Sequence, residues 1–300
     1  MGDKKILLVG DNPFHGVSHI SQERAISRGG DPTDPSHAAQ VVMSSVESGA
    51  DGFMFTVSQT TLSILRVIDR RGPGVPLKLY ALVPNVSEFV RSAAMEGGIP
   101  GLARNLAIEI VVSANVKAIA NGVKGIATND PAALLRGLLS YEVSRVKSAM
   151  GRGSTLVSIL LHELVTDMAL ALDMDWLFRT HVSFARKLGM KPGFETRNFA
   201  CLTAKLVEWR IDLAGVVIAA PFNSIGFQMC PSKKECEEAL SKASQAEVIG
   251  FSILAAGYLG LPEALDYVST LPRLKGVAVG VSTMQQASET FKLLSGKFAR

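Results

Sequence analysis

The 300-residue sequence has little of what marks several classes of protein. Aromatic residues make up only 6% of the chain, and like charges are scattered along it, so it lacks the basic, aromatic-rich pattern of proteins that bind nucleic acid. No apolar run is long enough to span a bilayer, and "ILLVG" near the start is too short for the core of a signal peptide. These absences predict a cytoplasmic protein with no nucleic-acid or membrane partner.

Common catalytic and metal-binding motifs are also missing. Cys201, Cys230 and Cys236 have the spacing of neither a CxxC pair nor a disulfide framework, and free thiols are expected. The sequence contains no GxGxxG, no Walker loop and no GxSxG, and "HELVT" fails as HExxH because Thr166 occupies the place of the second histidine. We therefore predict no metal site.

The composition is that of a well-packed enzyme. Hydrophobic residues make up 47% of the chain and charged residues 19%, which is unlike a disordered protein. The formal net charge is +4, from 31 basic and 27 acidic side chains, and the pI is near 9.0. This balance favours a small anionic substrate as the partner.

Short β-rich runs alternate with helical stretches, which is typical of βα units around a parallel sheet. Two helices have an Asp cap, a Pro in the first turn and a closing Gly, namely 34–49 and 130–151. Eight runs are predicted strands: 5–10, 52–57, 77–83, 155–161, 191–196, 215–220, 247–253 and 276–281. We predict an α/β fold, a (β/α)8 TIM barrel, as a single domain over residues 1–300.

The connection between the third and fourth predicted strands is too long for one crossover helix. It covers residues 84–153, so we predict an enlarged helical crossover there. Within it, residues 123–128 form either a ninth strand or an irregular connection, and the second interpretation preserves the eightfold barrel.

Polar residues gather where the predicted strands end, which in such barrels is where ligands bind. Asp11 and His15 follow the first strand, His162 follows the fourth, and Glu195 and Arg197 stand at the fifth. All of them are candidates for catalysis.

The last third of the chain resembles the aldo-keto reductases, a family of NADP-dependent barrels. In "VIGFSILAAGYL", Phe251 and Ser252 match the family's seventh strand, whose aromatic residue stacks on nicotinamide. In "RNF", Asn198 matches an asparagine that holds the carboxamide, whereas Arg197 replaces a serine. The pattern "VGVSTMQQASETF" resembles the family's site for the 2′-phosphate and adenine, and its matching residues are Ser282, Thr283, Gln286 and Glu289. The resemblance implies NADP as cofactor.

The rest of the family's catalytic tetrad is not retained. "SILLHE" places His162 at the family's catalytic histidine, but Met54, Phe55 and Gln59 stand where its Asp and Tyr are sought. "YALVPN" offers no lysine at the end of the third strand. The resemblance therefore implies an oxidoreductase-like barrel that does not use the family's usual proton donor.

Several interpretations of these candidates remain open. His162 is either a buried histidine with satisfied ring nitrogens or a functional residue working with Asp11, His15 or Glu195. Glu195 and Arg197 share a face of one strand, so they are either site residues or a buried ion pair. Ser282 and Thr283 either bind phosphate through the following helix or only cap that helix.

Three functions follow. The first is an aldo-keto-reductase-like enzyme that acts on a small anionic metabolite with a nicotinamide nucleotide. The second is a lyase, isomerase or hydrolase for a phosphate ligand without a nucleotide, and the third is a non-catalytic ligand-binding barrel. The substrate, the reaction and the oligomeric state are not encoded in any motif of the sequence.

Overall fold

The computed structural model describes residues 4–15, 34–72, 74–86 and 130–298. Eight parallel strands close into a barrel in which each strand pairs with the next and β1 pairs with β8. The strands are β1 Ile6–Gly10, β2 Gly52–Thr56, β3 Lys78–Val83, β4 Thr155–Leu161, β5 Lys191–Glu195, β6 Val217–Pro221, β7 Glu247–Phe251 and β8 Leu274–Gly280. The predicted (β/α)8 barrel is confirmed, and all eight predicted runs are strands with small shifts at their ends.

Helices follow the strands and pack around the barrel. Those in the described segments are α1 Pro35–Glu47, α2 Gln59–Arg71, α3 Pro131–Ala149, α4 Glu163–Ala171, α5 Asp175–Lys187, α6 Phe199–Glu208, α7 Lys233–Lys242, α8 Leu261–Ser269 and α9 Met284–Phe298. None of these helices combines the length and apolar character needed to cross a bilayer.

The two helix starts marked by Asp and Pro are confirmed. The Asp34 side chain accepts hydrogen bonds from two N–H groups of the first turn of α1, and the Asp130 side chain accepts one at the start of α3. Both helices end two residues before the predicted closing glycines, Gly49 and Gly151. Most of the predicted enlarged crossover, including residues 123–128, lies outside the described residues.

The strands bury side chains on both faces, as expected for a parallel sheet with helices outside and packed side chains within. In β1, Leu7 and Val9 pack in the layer between sheet and helices, whereas Leu8 points into the barrel. The interior also holds Met54, Tyr80, Leu82, Leu160, Val217, Ala219, Ile249 and Ala278. Because these side chains fill the barrel, open space for a ligand lies at its mouth.

Candidate functional site

A cavity of about 360 Å³ opens at the carboxyl ends of the strands. Its walls come from strand ends and loops on opposite sides of the barrel. The lining residues are Gly10, Asp11, Asn12, Pro13, Met54, Thr56, Leu82, His162, Glu163, Glu195, Arg197, Gln228, Phe251, Ser252, Ile253, Leu254, Ala256, Gly257, Ala278, Val279, Gly280, Ser282 and Gln286. Eight of the predicted site residues therefore line one cavity: Asp11, His162, Glu195, Arg197, Phe251, Ser252, Ser282 and Gln286.

His162 follows the last residue of β4 and is the N-cap of α4. Its Nδ1 accepts a hydrogen bond from the backbone N–H of Leu164 at 3.2 Å. Burial lowers the pKa of His162, and the Arg197 guanidinium lowers it further against the opposing influence of Glu163 and Asp11. The ring is therefore neutral near pH 7, with Nδ1 occupied and its hydrogen on Nε2.

Glu195 is the last residue of β5, and its Oε2 accepts a hydrogen bond from the backbone N–H of Glu163 at 3.1 Å. The first two N–H groups of α4 thus hold the Glu195 carboxyl and the His162 ring. Burial raises the pKa of Glu195 to about 8, and the neighbouring carboxylates of Glu163 and Asp11 add to the rise. This carboxyl is protonated at neutral pH.

Arg197 lies beyond the end of β5 and forms a two-pronged ion pair with Glu163. Its Nε and a terminal nitrogen are 2.7 and 2.8 Å from the two Glu163 carboxylate oxygens. The interpretation that Arg197 pairs with Glu195 on one strand face is wrong, because the strand ends at Glu195 and its alternation does not reach Arg197. Asp167 holds this turn by accepting hydrogen bonds from the N–H of Arg197, at 3.1 Å, and the hydroxyl of Thr196. We call Glu163, Glu195, Arg197 and His162 the carboxylate wall.

Asp11 joins the ends of β1 and β2. Its Oδ2 accepts the N–H of Thr56 at 2.7 Å and lies 3.0 Å from Nε2 of His15. Burial opposes a charge on His15, but the hydrogen bond to Asp11 and its negative charge outweigh burial and raise the pKa of His15. Asp11 lines the cavity, whereas His15 is not one of its lining residues.

The loop after β7 contributes Ser252, Ile253, Leu254, Ala256 and Gly257 to the cavity lining. Ser252, Ala255 and Ala256 have φ values of 50°, 45° and 59°, in the left-handed region that non-glycine residues rarely adopt. Within the described part of the chain, the N–H groups of Ile253, Leu254 and Ala256 donate to no protein acceptor. We call these three residues the amide wall, because unpaired N–H groups around left-handed residues attract anions.

The polar residues after β8 are partly engaged in capping α9. The N–H of Ser282 donates to the side-chain oxygen of Gln286 at 2.9 Å, and the N–H of Gln286 donates to the Thr283 hydroxyl at 3.2 Å. This contact agrees with the interpretation that Thr283 caps α9. Glu289 lies outside the lining, on the exposed face of α9, and accepts a hydrogen bond from Gln285 at 2.9 Å.

Asn198, at the N-cap of α6, also lies outside the cavity lining. Met54 and Leu82 give the floor of the cavity an apolar surface, and its described lining contains neither tyrosine nor lysine. In the described segments, no group of three or more His, Cys, Asp or Glu side chains is arranged to hold a metal ion.

The catalytic residues chosen from the sequence did not include Glu163, although it lies at the end of the same predicted strand as His162, and neither Gln228 nor the amide wall was predicted as part of the cavity. Glu163 follows His162 directly, and this adjacency was an available signal. Gln228 lines the cavity and has a φ of 59°. No pattern in the sequence predicts this left-handed conformation. The amide wall is built from backbone groups, which side-chain motifs do not encode.

No protein-family model matches the sequence, and no curated protein is significantly similar to it. Solved structures are similar in fold. Two structures of a proposed aldo-keto reductase from Pseudomonas aeruginosa align with TM-scores of 0.62 and 0.59 at 13% and 12% identity, covering 99% of this chain and 93% of theirs. An aldo-keto reductase from a deep-sea metagenome of the Medee basin aligns with a TM-score of 0.52 at 9% identity, over 96% of this chain and 83% of that one. The chain therefore has a barrel similar to that of the aldo-keto reductases.

Proposed function

We propose that the protein is an aldo-keto-reductase-like enzyme that performs acid–base chemistry on a small anionic metabolite together with a nicotinamide nucleotide. The observation that carries the proposal is the joint placement of His162 and Glu195. Both side chains line one cavity, both are held by the first N–H groups of α4, and both have pKa values shifted by burial. Perturbed titratable groups in a cleft are typical of active sites.

The two residues have different roles in this proposal. Neutral His162 keeps Nδ1 on the helix and offers its Nε2 hydrogen to an oxygen of the substrate, which polarises that oxygen without a full charge. Glu195 is protonated at neutral pH and donates a proton to the reacting group. Asp11, braced by His15, and Arg197, paired with Glu163, hold the surroundings of these two groups.

The residues present fit a nicotinamide nucleotide at the opposite wall. Phe251 offers a ring at the base of the cavity, and the amide wall offers unpaired N–H groups to a phosphate. When bound, such a nucleotide donates or accepts a hydride. Since the N–H groups of Ser282 and Gln286 already have partners, we place the anion first on the amide wall. Contacts of NADP with Asn198, Ser252, Ser282, Thr283, Gln286 and Glu289 remain predictions of the family resemblance.

Turnover is tested without knowing the substrate. A metabolite extract is incubated with the protein and NADPH and then compared by mass spectrometry with an extract incubated with E195Q. We expect a metabolite to be consumed by the wild type and not by E195Q, because the amide has no acidic proton to transfer to the reacting group. Glu237→Gln, on α7 and away from the cavity, is the control and should leave consumption unchanged. If wild type and E195Q give the same extract profile, Glu195 is not the acid, and a non-catalytic barrel is favoured.

Nucleotide binding is tested with a pair of variants at Ala256. Asp and Asn tolerate the left-handed conformation of this residue and have nearly the same shape, so they differ mainly in charge. We expect A256D to weaken NADPH binding about tenfold or more, measured by nucleotide fluorescence, and A256N to change it little. Equal affinities of A256D and A256N for NADPH would show that the anion does not bind at the amide wall.

The volume of the cavity supports a second candidate. At about 360 Å³ it is at the small end of ligand pockets, which suits a compact phosphate-bearing substrate without a dinucleotide. A lyase, isomerase or hydrolase would use the same acid and the same amide wall. Consumption of a metabolite without added NADPH, and its loss in both E195Q and A256D, would favour this candidate.

A further inference from the structure

Next to the amide wall, apolar side chains stand exposed on two loops at the mouth of the barrel. Tyr258, after β7, is 77% exposed, and Ile225, after β6, is 56% exposed. The rings of Phe227 and Tyr258 lie 6.3 Å apart between centroids, inclined at 50°. We call these three residues the aromatic rim. Exposed apolar side chains that cluster beside a cavity are typical of ligand-binding surfaces.

The aromatic rim is continuous with the cavity. Gln228 and Gly257, which line the cavity, directly follow Phe227 and directly precede Tyr258 in the chain. The aromatic rim is therefore carried by the same two loops that line the cavity.

A fully buried asparagine holds the two loops of the rim together. The Asn223 side chain accepts the N–H of Phe227 at 2.7 Å and donates to the carbonyl of Phe227 at 2.9 Å. The same amide nitrogen donates to the carbonyl of Ser252 at 3.3 Å, on the loop that carries Tyr258. Because one buried group bridges both loops, their backbones are held relative to each other before a ligand arrives.

We propose that the aromatic rim is a subsite for a planar ring of a ligand whose anionic group binds at the amide wall, as in the second candidate function. Aromatic faces favour stacking or edge contacts with another ring, and the Tyr258 hydroxyl stays in water at the outer edge. The ligand class is thus an aromatic compound that carries a phosphate or a similar anion. This inference rests on the proposed anion site for its orientation and adds the recognition of the ring.

The test compares two probes, 1-naphthyl phosphate and inorganic phosphate, by calorimetry on the whole protein. We expect naphthyl phosphate to bind about tenfold more tightly than inorganic phosphate, and Y258A to remove most of this difference without changing the affinity for inorganic phosphate. Y258F keeps the ring and should behave like the wild type. Met168→Ala, which trims an exposed apolar side chain on α4, is the matched control and should have no effect on either probe.

The outcomes separate this inference from the proposed function. If A256D weakens both probes and Y258A weakens only naphthyl phosphate, both proposals stand. If Y258A weakens naphthyl phosphate but A256D changes neither probe, the rim stands and the anion site fails. The rim is overturned if naphthyl phosphate binds no better than phosphate, if Y258A leaves the difference between the probes intact, or if neither probe binds.

Discussion

The carboxylate wall is held by side chains, whereas the amide wall is held by backbone conformation. On the first, the Arg197–Glu163 pair and the N–H groups of α4 fix the reacting groups. On the second, Ala255 and Ala256 adopt left-handed conformations, and the N–H groups of Ile253, Leu254 and Ala256 have no protein acceptor among the described residues. The two walls therefore face the same cavity with different chemistry, one with titratable side chains and the other with backbone N–H groups.

This difference indicates how each wall responds to change. Side-chain networks of charged groups respond to pH and to the removal of one partner, since an unpaired charge is left behind. A backbone site is insensitive to pH and responds to changes in conformational freedom. The predictions below test this contrast from the largest expected effect to the smallest.

The largest effect is expected from His181, which contacts β4 and β5, the two strands that end at the carboxylate wall. His181 is a fully buried residue of α5. Its Nε2 lies 3.1 Å from the carbonyl oxygen of Ile159 on β4 and 3.4 Å from the backbone nitrogen of Gly193 on β5. Burial lowers the pKa of His181 to about 4. In the unfolded chain its pKa is about 6.5, so below that pH the unfolded state binds more protons and the free energy of unfolding falls.

The free energy of unfolding should begin to fall as the pH drops through 6.5, and the decrease should be complete below pH 4. We expect a total decrease of about 3 kcal/mol. It is measured by urea unfolding at pH 7 and at pH 4. Because carboxyl groups titrate in the same range, the comparison is with H181Q, whose amide can donate to Ile159 but does not ionise. An equal dependence on pH in H181Q would show that His181 is not the source.

A smaller effect is expected from the ion pair at the mouth. Arg197 is 37% exposed at its side chain, so solvent screens the pair, and the coupling between R197M and E163Q should be about 1 kcal/mol in a double-mutant cycle of unfolding. The pKa of Glu195 gives a sharper readout. It should rise in R197M, which removes a nearby positive charge, and fall in E163Q, which removes a nearby negative one. NMR titration of the carboxyl carbon measures both, and shifts of the same sign would contradict the arrangement.

The sequence predicted the barrel well because strands and caps are local signals. Short apolar runs, Asp34 and Asp130 at helix starts, and Pro35 and Pro131 behind them all depend on neighbours in the chain. The end of a strand is less local. The sequence predicted that β7 extends through Ser252 and Ile253, but the chain turns after Phe251 into a left-handed conformation.

The candidate site was predictable only in its side chains. The strand-end rule brought His162, Asp11, Glu195 and Arg197 to one cavity, because parallel strands end on the same side of a barrel. Of the two interpretations left open for Arg197, the ion pair with Glu195 is wrong, since the pairing of Arg197 depends on the turn held by Asp167 from another helix. It did not reveal the amide wall, whose chemistry comes from φ angles that Ala255 and Ala256 do not ordinarily adopt.

The smallest effect concerns the strain of the amide wall. Ala256 has a φ of 59°, a conformation that glycine adopts without the steric penalty of a Cβ. A256G relieves that penalty but gains freedom in the unfolded chain, so we expect a net stabilisation of about 0.5 kcal/mol in urea unfolding. The matched control is A204G, at an exposed position inside α6, where the same substitution should destabilise by about 1 kcal/mol. If the left-handed conformation is retained to aim N–H groups at an anion, A256G should bind inorganic phosphate no better than the wild type despite its greater stability. A destabilising A256G would show that this loop is not strained, and the contrast between the two walls would then rest on hydrogen bonding alone.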